Sequence, residues 1–341
     1  MKSGKCLKWS LVLFACLGVT LFTLNPSTVR AASKPIKWVL STPFGSESYG
    51  GKGTAWIIER IKKNSNGQLQ IEPYYASSLG YKSPEYLKVF RDGLMDMAEL
   101  SPPHAMGTEP LFGACILPFT FFSYDDYYDF AQKVLMPNLS EVVEKKWNIK
   151  LIGNLMYAQT AFYGQKAITK PEDFKGLKVR VMSPLGRDIY AKLGAQPIYI
   201  PFEELYTALQ RGVVQAMPNS LTAAADVKVW EVCSNASLIG YVIGTGFMVV
   251  NKKSFDALPK NLQDVVLEAG SAYSRHMKEE IKKMGNAALM QYLEHGMTLT
   301  KMPPPVLKEL RAAAADVWLS WTKKVGPRAE KILKEGGLLI R

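Results

Sequence analysis

Short apolar runs alternate with helical spacings along most of the chain, and the alternation begins at residue 36. Residues 36–40 predict a buried strand that stops at Ser41-Thr42-Pro43. Residues 50–63 carry Ala55, Ile58 and Ile61 at three-residue steps, one face of a helix closed by Asn64-Ser65-Asn66-Gly67. Residues 68–72 alternate as a strand, 84–91 predict a short helix, 95–100 a strand, and 149–155 a strand after a helix that ends at Trp147. A second unit of the same kind begins near Phe162. It has strands at 177–181, 196–200, 213–217 and 245–251 and helices at 184–193 and 202–211. The β-α-β-α order predicts α/β layers with mostly parallel sheets. Ligands of such sheets sit beyond the carboxyl ends of the strands. That directs attention to the loops after Leu40, Leu100 and Leu155.

The longest helical pattern runs over residues 262–293, with Leu262, Val265, Val266, Ala269, Tyr273, Met277, Ile281, Met284, Ala288, Leu289 and Tyr292 recurring at three- and four-residue steps. At 1.5 Å per residue it extends on the order of 45 Å, more than one small domain needs, so it is long enough to bridge two. Its Met and aromatic stripe is a core face.

The first thirty residues follow another rule. Lys2, Lys5 and Lys8 precede an uncharged, mostly apolar run at 9–24, and Ala31 and Ala32 stand where a signal peptidase would cut. This is the order of a secretory signal peptide over 1–31, and the run is shorter than the ~20 apolar residues of a membrane span. The 341-residue chain has a formal charge of +12; cleavage after Ala31 removes four basic residues and no acids, leaving +8. It also removes Cys6 and Cys16. Cys115 and Cys233 remain, with a disulfide and two isolated buried thiols both open.

A charge of this sign admits nucleic acid, a membrane surface or an anionic small molecule as partner. Export and the scattering of lysines among acids argue against nucleic acid. Catalytic signatures are thin. The three histidines, His104, His276 and His295, form no pair at ligand spacing, and there is no G-x-S-x-G elbow. Gly50-Gly51-Lys52-Gly53-Thr54 lacks the first glycine of a phosphate loop, with Ser46 in its place. Gly244-Thr245-Gly246 lacks the third glycine of a dinucleotide fingerprint. The expectation is no enzyme, no metal and no cofactor.

Two blocks then carry a resemblance. One is Pro171-Glu172-Asp173-Phe174-Lys175-Gly176-Leu177-Lys178-Val179-Arg180-Val181. The other runs from Gln196-Pro197-Ile198-Tyr199-Ile200-Pro201-Phe202-Glu203-Glu204-Leu205 through Tyr206-Thr207-Ala208-Leu209-Gln210-Arg211-Gly212-Val213-Val214. Together they resemble the central signature of the solute receptors of TRAP (tripartite ATP-independent periplasmic) transporters, the DctP-like family. Ser78-Leu79-Gly80, Gly93-Leu94-Met95-Asp96-Met97-Ala98 before Leu117-Pro118-Phe119, and the block at 250–259 keep the family's order. The resemblance runs from about residue 36 to the C-terminus.

It implies an α/β, two-lobed periplasmic binding protein (type II-like) with a central cleft, hinge strands near Tyr157 and Gly244, and a long helix spanning both lobes. Residues 32–157 with 245–285 would form lobe I, and 158–244 with 286–341 lobe II. In the family, the arginine of the G-L-K-x-R strand, here Arg180, pairs with the ligand's carboxylate; a guanidinium fork fits a carboxylate in two parallel hydrogen bonds. Asn219 fits the family's ligand-contacting asparagine. Between Val214 and Asn219 the chain departs from the family's usual Asp-Gly-x-Glu, with Gln215-Ala216-Met217-Pro218 instead. Where the sialic-acid branch carries a further arginine, this chain has Thr160, which argues against sialic acid. One strong cation suits one principal anionic group, a carboxylate or a sulfonate. Phe44, Glu47, Ser101, Tyr157, Phe162 and Met182 are wall candidates because they follow strand ends.

The function implied is capture of a small organic anion by lobe closure and delivery to small and large TRAP membrane subunits. The receptor would be a monomer in the periplasm of a Gram-negative-type envelope. The alternatives are an exported enzyme acting on an organic acid and a ligand-sensing receptor without transport.

Overall fold

The computed structural model describes residues 34–200 and 204–338. The expected signal segment over 1–31 lies outside the described residues, as does the start of the helix expected over 202–211. The order begins β1 (Ile36–Ser41), α1 (Tyr49–Asn64), β2 (Leu69–Tyr74), α2 (Tyr86–Arg91), β3 (Met97–Leu100) and α3 (Pro102–Ala105). Helices α4 (Tyr124–Phe130) and α5 (Met136–Trp147) lead to β4 (Ile149–Met156). The next stretch contains β5 (Thr160–Gly164), β6 (Lys178–Val181), α6 (Pro184–Lys192), β7 (Gln196–Tyr199), α7 (Leu205–Gln210), β8 (Ala216–Ser220), α8 (Leu221–Asp226) and β9 (Asn235–Leu238). The chain ends with β10 (Thr245–Asn251), α9 (Lys252–Asp256), α10 (Lys260–Glu294), β11 (Thr298–Lys301), α11 (Pro304–Val325) and α12 (Pro327–Glu335).

Two sheets result, in the orders β2-β1-β3-β10-β4 and β11-β9-β5-β8-β6-β7. They are mixed rather than mostly parallel. Strand β10 runs antiparallel to β3 and β4, and β5 runs antiparallel to β8 and β9. Those two strands are the ones that arrive from the other sheet with no helix in between. Strand β4 ends at Met156 and β5 starts at Thr160, so at most roughly 14 Å of chain separates the two sheet edges there. The return from β9 to β10 runs beside it: Tyr157 N–H donates to Gly244 O at 2.9 Å and Thr160 N–H to Val242 O at 3.0 Å. Strands β1, β3 and β4 all end at the edge that this crossing leaves, and β6, β8 and β9 at the edge that it enters. The carboxyl ends of both sheets are thereby turned toward one another, which is the two-lobed architecture.

Local chemistry explains the elements that frame this cleft. Helix α1 starts where the Ser48 hydroxyl accepts the Gly51 N–H at 3.1 Å, buries Ile57, Ile58 and Ile61, and ends with Lys62 and Lys63 near its negative pole. Helix α10 has 35 residues, about 52 Å. Its first half packs Val266, Ala269, Tyr273 and Met277 into the core under α1 and the first sheet. Its second half packs Ile281, Ala288 and Tyr292 into the core of the second. It approaches β4 so closely that a Cβ on Gly270 would overlap the Ile152 carbonyl, and Ser274 Oγ accepts the Asn154 N–H at 2.9 Å. At the C-terminus, Trp318 Nε1–H donates to Pro118 O at 2.9 Å while Asp316 pairs with Lys192 of α6. Helix α12 returns to α5, where Arg328 meets Glu141 at 2.6 Å.

Cys115 and Cys233 are both buried free thiols. Burial pushes the Cys115 thiol well up and the Cys233 thiol up to about 12, so neither is a ready thiolate.

Candidate functional site

On the second sheet, Val179 of β6 stands beside Ala216 of β8 in parallel register. Side chains alternate along each strand, so Arg180 shares a face with Met217 and Asn219, while Val179 and Val181 turn to the other face. Arg180 is 3% exposed. Its Nε–H donates to Ile200 O at 3.0 Å, a contact that fixes the guanidinium near the strand's carboxyl end. Asn219 is 5% exposed; its Oδ1 accepts the N–H of Ser220 at 3.0 Å, and its amide nitrogen is buried without a hydrogen bond among the described residues. A cation and an amide donor therefore occupy one face of neighbouring strands at the edge entered by the crossing.

Phe162 falls elsewhere. It pairs with Pro218 across β5 and β8, one residue out of phase with Asn219. Its ring is buried among Phe174, edge-on at 5.1 Å, and Tyr190 at 5.8 Å. The two-residue period gives it a core-packing position on the opposite face of the sheet. Met182, just past β6, is 40% exposed on the rim.

On the first sheet, Ser101 and Tyr157 come together after β3 and β4. The Tyr157 hydroxyl is buried over Gly246 of β10, where a Cβ would lie 2.7 Å from it. Burial, then the nearby Glu99, raises its pKa, and the Ser101 hydroxyl beside it works the other way. Phe44 is half-buried with its ring over Gly50 at the start of α1. Glu47 is exposed in the same loop, where its carboxylate accepts from the Ser46 hydroxyl at 3.4 Å. Of the wall candidates, the structure joins Ser101 to Tyr157, sets Phe44 beside α1 and leaves Glu47 at the surface.

Residues that sequence reading passed over complete this edge. Glu99 of β3 is 1% exposed, and one carboxyl oxygen accepts from Thr42 Oγ1 at 3.3 Å. Burial pushes its pKa up to about 8, against the weaker opposing effect of the Thr42 hydroxyl. Tyr49, Tyr86, Tyr157 and Tyr273 all feel its charge. The signal available beforehand was a lone acid amid Met97, Ala98 and Leu100, where an alternating strand forces one face or the other to bury it.

The sequence profile of one family, the bacterial extracellular solute-binding proteins of family 7 (DctP), matches residues 41–324. The C4-dicarboxylate-binding periplasmic protein DctP of Rhodobacter capsulatus is 31% identical over 301 residues, which cover 84% of this chain and 86% of that protein. A Bordetella pertussis extracytoplasmic solute receptor binding pyroglutamic acid superposes with a TM-score of 0.80 at 23% identity, covering 89% of this chain and 99% of that one. A TRAP periplasmic solute-binding protein from Sulfitobacter, solved with bound β-D-galacturonate, gives a TM-score of 0.77 at 21% identity, covering 89% and 99%. At these identities the two structures establish the shared fold.

Proposed function

Because this chain belongs to family 7 of the bacterial extracellular solute-binding proteins, the DctP-like solute receptors of TRAP transporters, we propose that it captures one small organic acid in the cleft between its sheets and delivers it to membrane permease subunits. Members of the family are periplasmic receptors and not enzymes, and no helix among the described residues is long and apolar enough to cross a membrane. In this reading, residues 1–31 direct export. Residues 32–157 with 245–285 form one lobe and 158–244 with 286–341 the other, and the paired crossings at Tyr157 and Gly244 are the hinge. The protein works as a monomer alongside one small and one large membrane subunit. The observation that carries the reading is the buried guanidinium of Arg180 on the same sheet face as Asn219, at the edge where the two lobes meet.

Arg180 would take the carboxylate in a planar two-bond pair, and Asn219 would donate its unused N–H. Closing the lobes expels water from the pair and strengthens it. The named relatives and neighbours take dicarboxylates, pyroglutamate and a sugar acid. A carboxylate is their common element. Of the carboxylate and the sulfonate, the carboxylate is the better supported.

A thermal-shift screen of carboxylates, sulfonates and keto acids tests this. Carboxylates should raise the melting temperature of the wild type, and Arg180→Ala should weaken the best of them by about a hundredfold. Equal binding by the variant, or chemical conversion of the bound acid, would overturn the reading.

A further inference from the structure

The first sheet's edge holds polar groups that the capture of a carboxylate does not use. Glu99 has a second carboxyl oxygen, Oε1, that is buried and makes no hydrogen bond. The Tyr273 hydroxyl is also buried without a hydrogen bond, and the Tyr157 hydroxyl has only the Ser101 hydroxyl beside it. Such groups are costly to leave unsatisfied, at about 1–3 kcal/mol each in proteins, and an unfilled set in one place points to something that fills it.

We propose that Glu99, with the hydroxyls of Tyr157 and Tyr273 beside it, is a second recognition site of the cleft, taking an uncharged carbonyl or hydroxyl oxygen of the acid whose carboxylate Arg180 holds. The proposal rests on the receptor reading above and names the class of acid. Thr42 Oγ1 donates to Glu99 Oε2, so when the carboxyl carries a proton it sits on Oε1, which becomes a donor. The two tyrosine O–H groups are donors too. All three can donate to the same kind of group, an oxygen atom of the ligand.

The groups facing Glu99 are Thr42 after β1, Tyr49 of α1, Tyr86 of α2, Tyr157 after β4 and Tyr273 of α10. Two of these are already engaged: Tyr49 O–H donates to Met277 O at 2.7 Å, and Tyr86 shares a hydrogen bond with Ser41 at 2.8 Å. None is a cation. A second carboxylate placed here would be buried without a counter-charge, which is far costlier than burying a neutral oxygen. The site therefore favours keto, hydroxy and lactam acids over dicarboxylates. Its position suits this use, because Thr42 and Tyr157 stand at the cleft edge and Glu99 lies two residues before Ser101.

Calorimetric titration of the exported chain with L-pyroglutamate and with cyclopentanecarboxylate tests the proposal. The two probes share ring size and carboxylate, and only the first has a carbonyl. Wild type should prefer pyroglutamate about tenfold. Glu99→Gln, which keeps a donor, should stay within about threefold of wild type, and Glu99→Leu should bind the two probes alike. Because the leucine variant risks misfolding, pH supplies a second readout. Wild-type affinity for pyroglutamate should fall as pH rises past 8, while Glu99→Gln should be flat over the same range. Pyroglutamate preference unchanged in Glu99→Leu, or the same pH profile in Glu99→Gln as in wild type, overturns the proposal. If Arg180→Ala abolishes binding while the Glu99 variants change nothing, only the second site is lost. If wild type binds neither probe, the carbonyl-acid class fails, and the broader acid screen decides the receptor reading separately.

Discussion

The two sheets bring unlike chemistry to the edges they turn toward each other. At the second sheet, Arg180 is 3% exposed and keeps its charge, because a guanidinium does not lose its proton in proteins; the carbonyl of Ile200 and the strand geometry hold it in place. At the first sheet, Glu99 is 1% exposed and is driven toward its neutral form by burial, with hydroxyl groups for company. Both are ionisable groups buried on short strands. The difference lies in their proton affinities: arginine has no neutral form to retreat to, whereas a carboxyl group does. A cleft built this way can offer one permanent charge and one uncharged hydrogen-bonding surface without adding a second buried ion.

The largest expected effect comes from erasing the acid. In the folded chain Glu99 keeps its proton up to about pH 8, whereas in the unfolded chain it releases it near the ordinary value of 4.5. The folded state therefore binds more protons between those limits. Stability from this group is full below pH 4.5, declines as pH rises toward 8, and is level beyond it. The decline amounts to about 5 kcal/mol. Denaturant titrations of wild type and Glu99→Gln across this range should diverge, with the glutamine variant gaining on wild type as pH rises. Parallel curves would mean that the two edges do not differ in protonation. A smaller effect comes from Gly246→Ala, whose Cβ would sit 2.7 Å from the Tyr157 hydroxyl. Overpacking of this kind should cost about 2 kcal/mol in denaturant unfolding and should displace Tyr157 from the neutral edge alone, leaving the Arg180 edge intact. Unchanged stability would show that Tyr157 is freer than it stands here. Smallest is Asn219→Ala. It removes one amide donor beside Arg180 and should weaken acid binding about tenfold by calorimetry, or about 1.4 kcal/mol, without altering the pH profile. A loss as large as that of Arg180→Ala would mean that the asparagine positions the guanidinium.

How much of this could be read beforehand follows from what each feature depends on. Strands β1 and β10 and helix α10 emerged near their observed limits because each buries a regular stripe over many residues. Arg180 and Asn219 were found through motif resemblance, and register then placed them on one face. Strand β8 was expected at 213–217 and stands at Ala216–Ser220. Gly212, at φ 69°, turns the chain there, and Val213 is 46% exposed, so an apolar run was mistaken for a buried strand. Strand β5 was not foreseen, and the antiparallel direction of β5 and β10 was missed because strand direction leaves no trace in hydrophobic period. Phe162 was assigned to the cleft because its nearness to a strand end was noted and its phase was not. Glu99 went unnoticed because its meaning depends on Tyr49 and Tyr273, which lie far away in sequence and come near only in the fold.

The long helix α10 has a mechanical consequence for the closing motion proposed above. It is fastened to β4 by the Gly270 contact and the Ser274 hydrogen bond, and to the second sheet by Tyr292, whose hydroxyl meets Tyr163 and the Leu221 carbonyl. A rod clamped at both ends cannot slide, so any change in the angle between lobes must flex it or strain a clamp. If the lobes close as proposed, it would act as a leaf spring across the crossing: part of the energy gained by gripping a ligand would be held as elastic strain, and that strain would help reopen the lobes when the acid is given up.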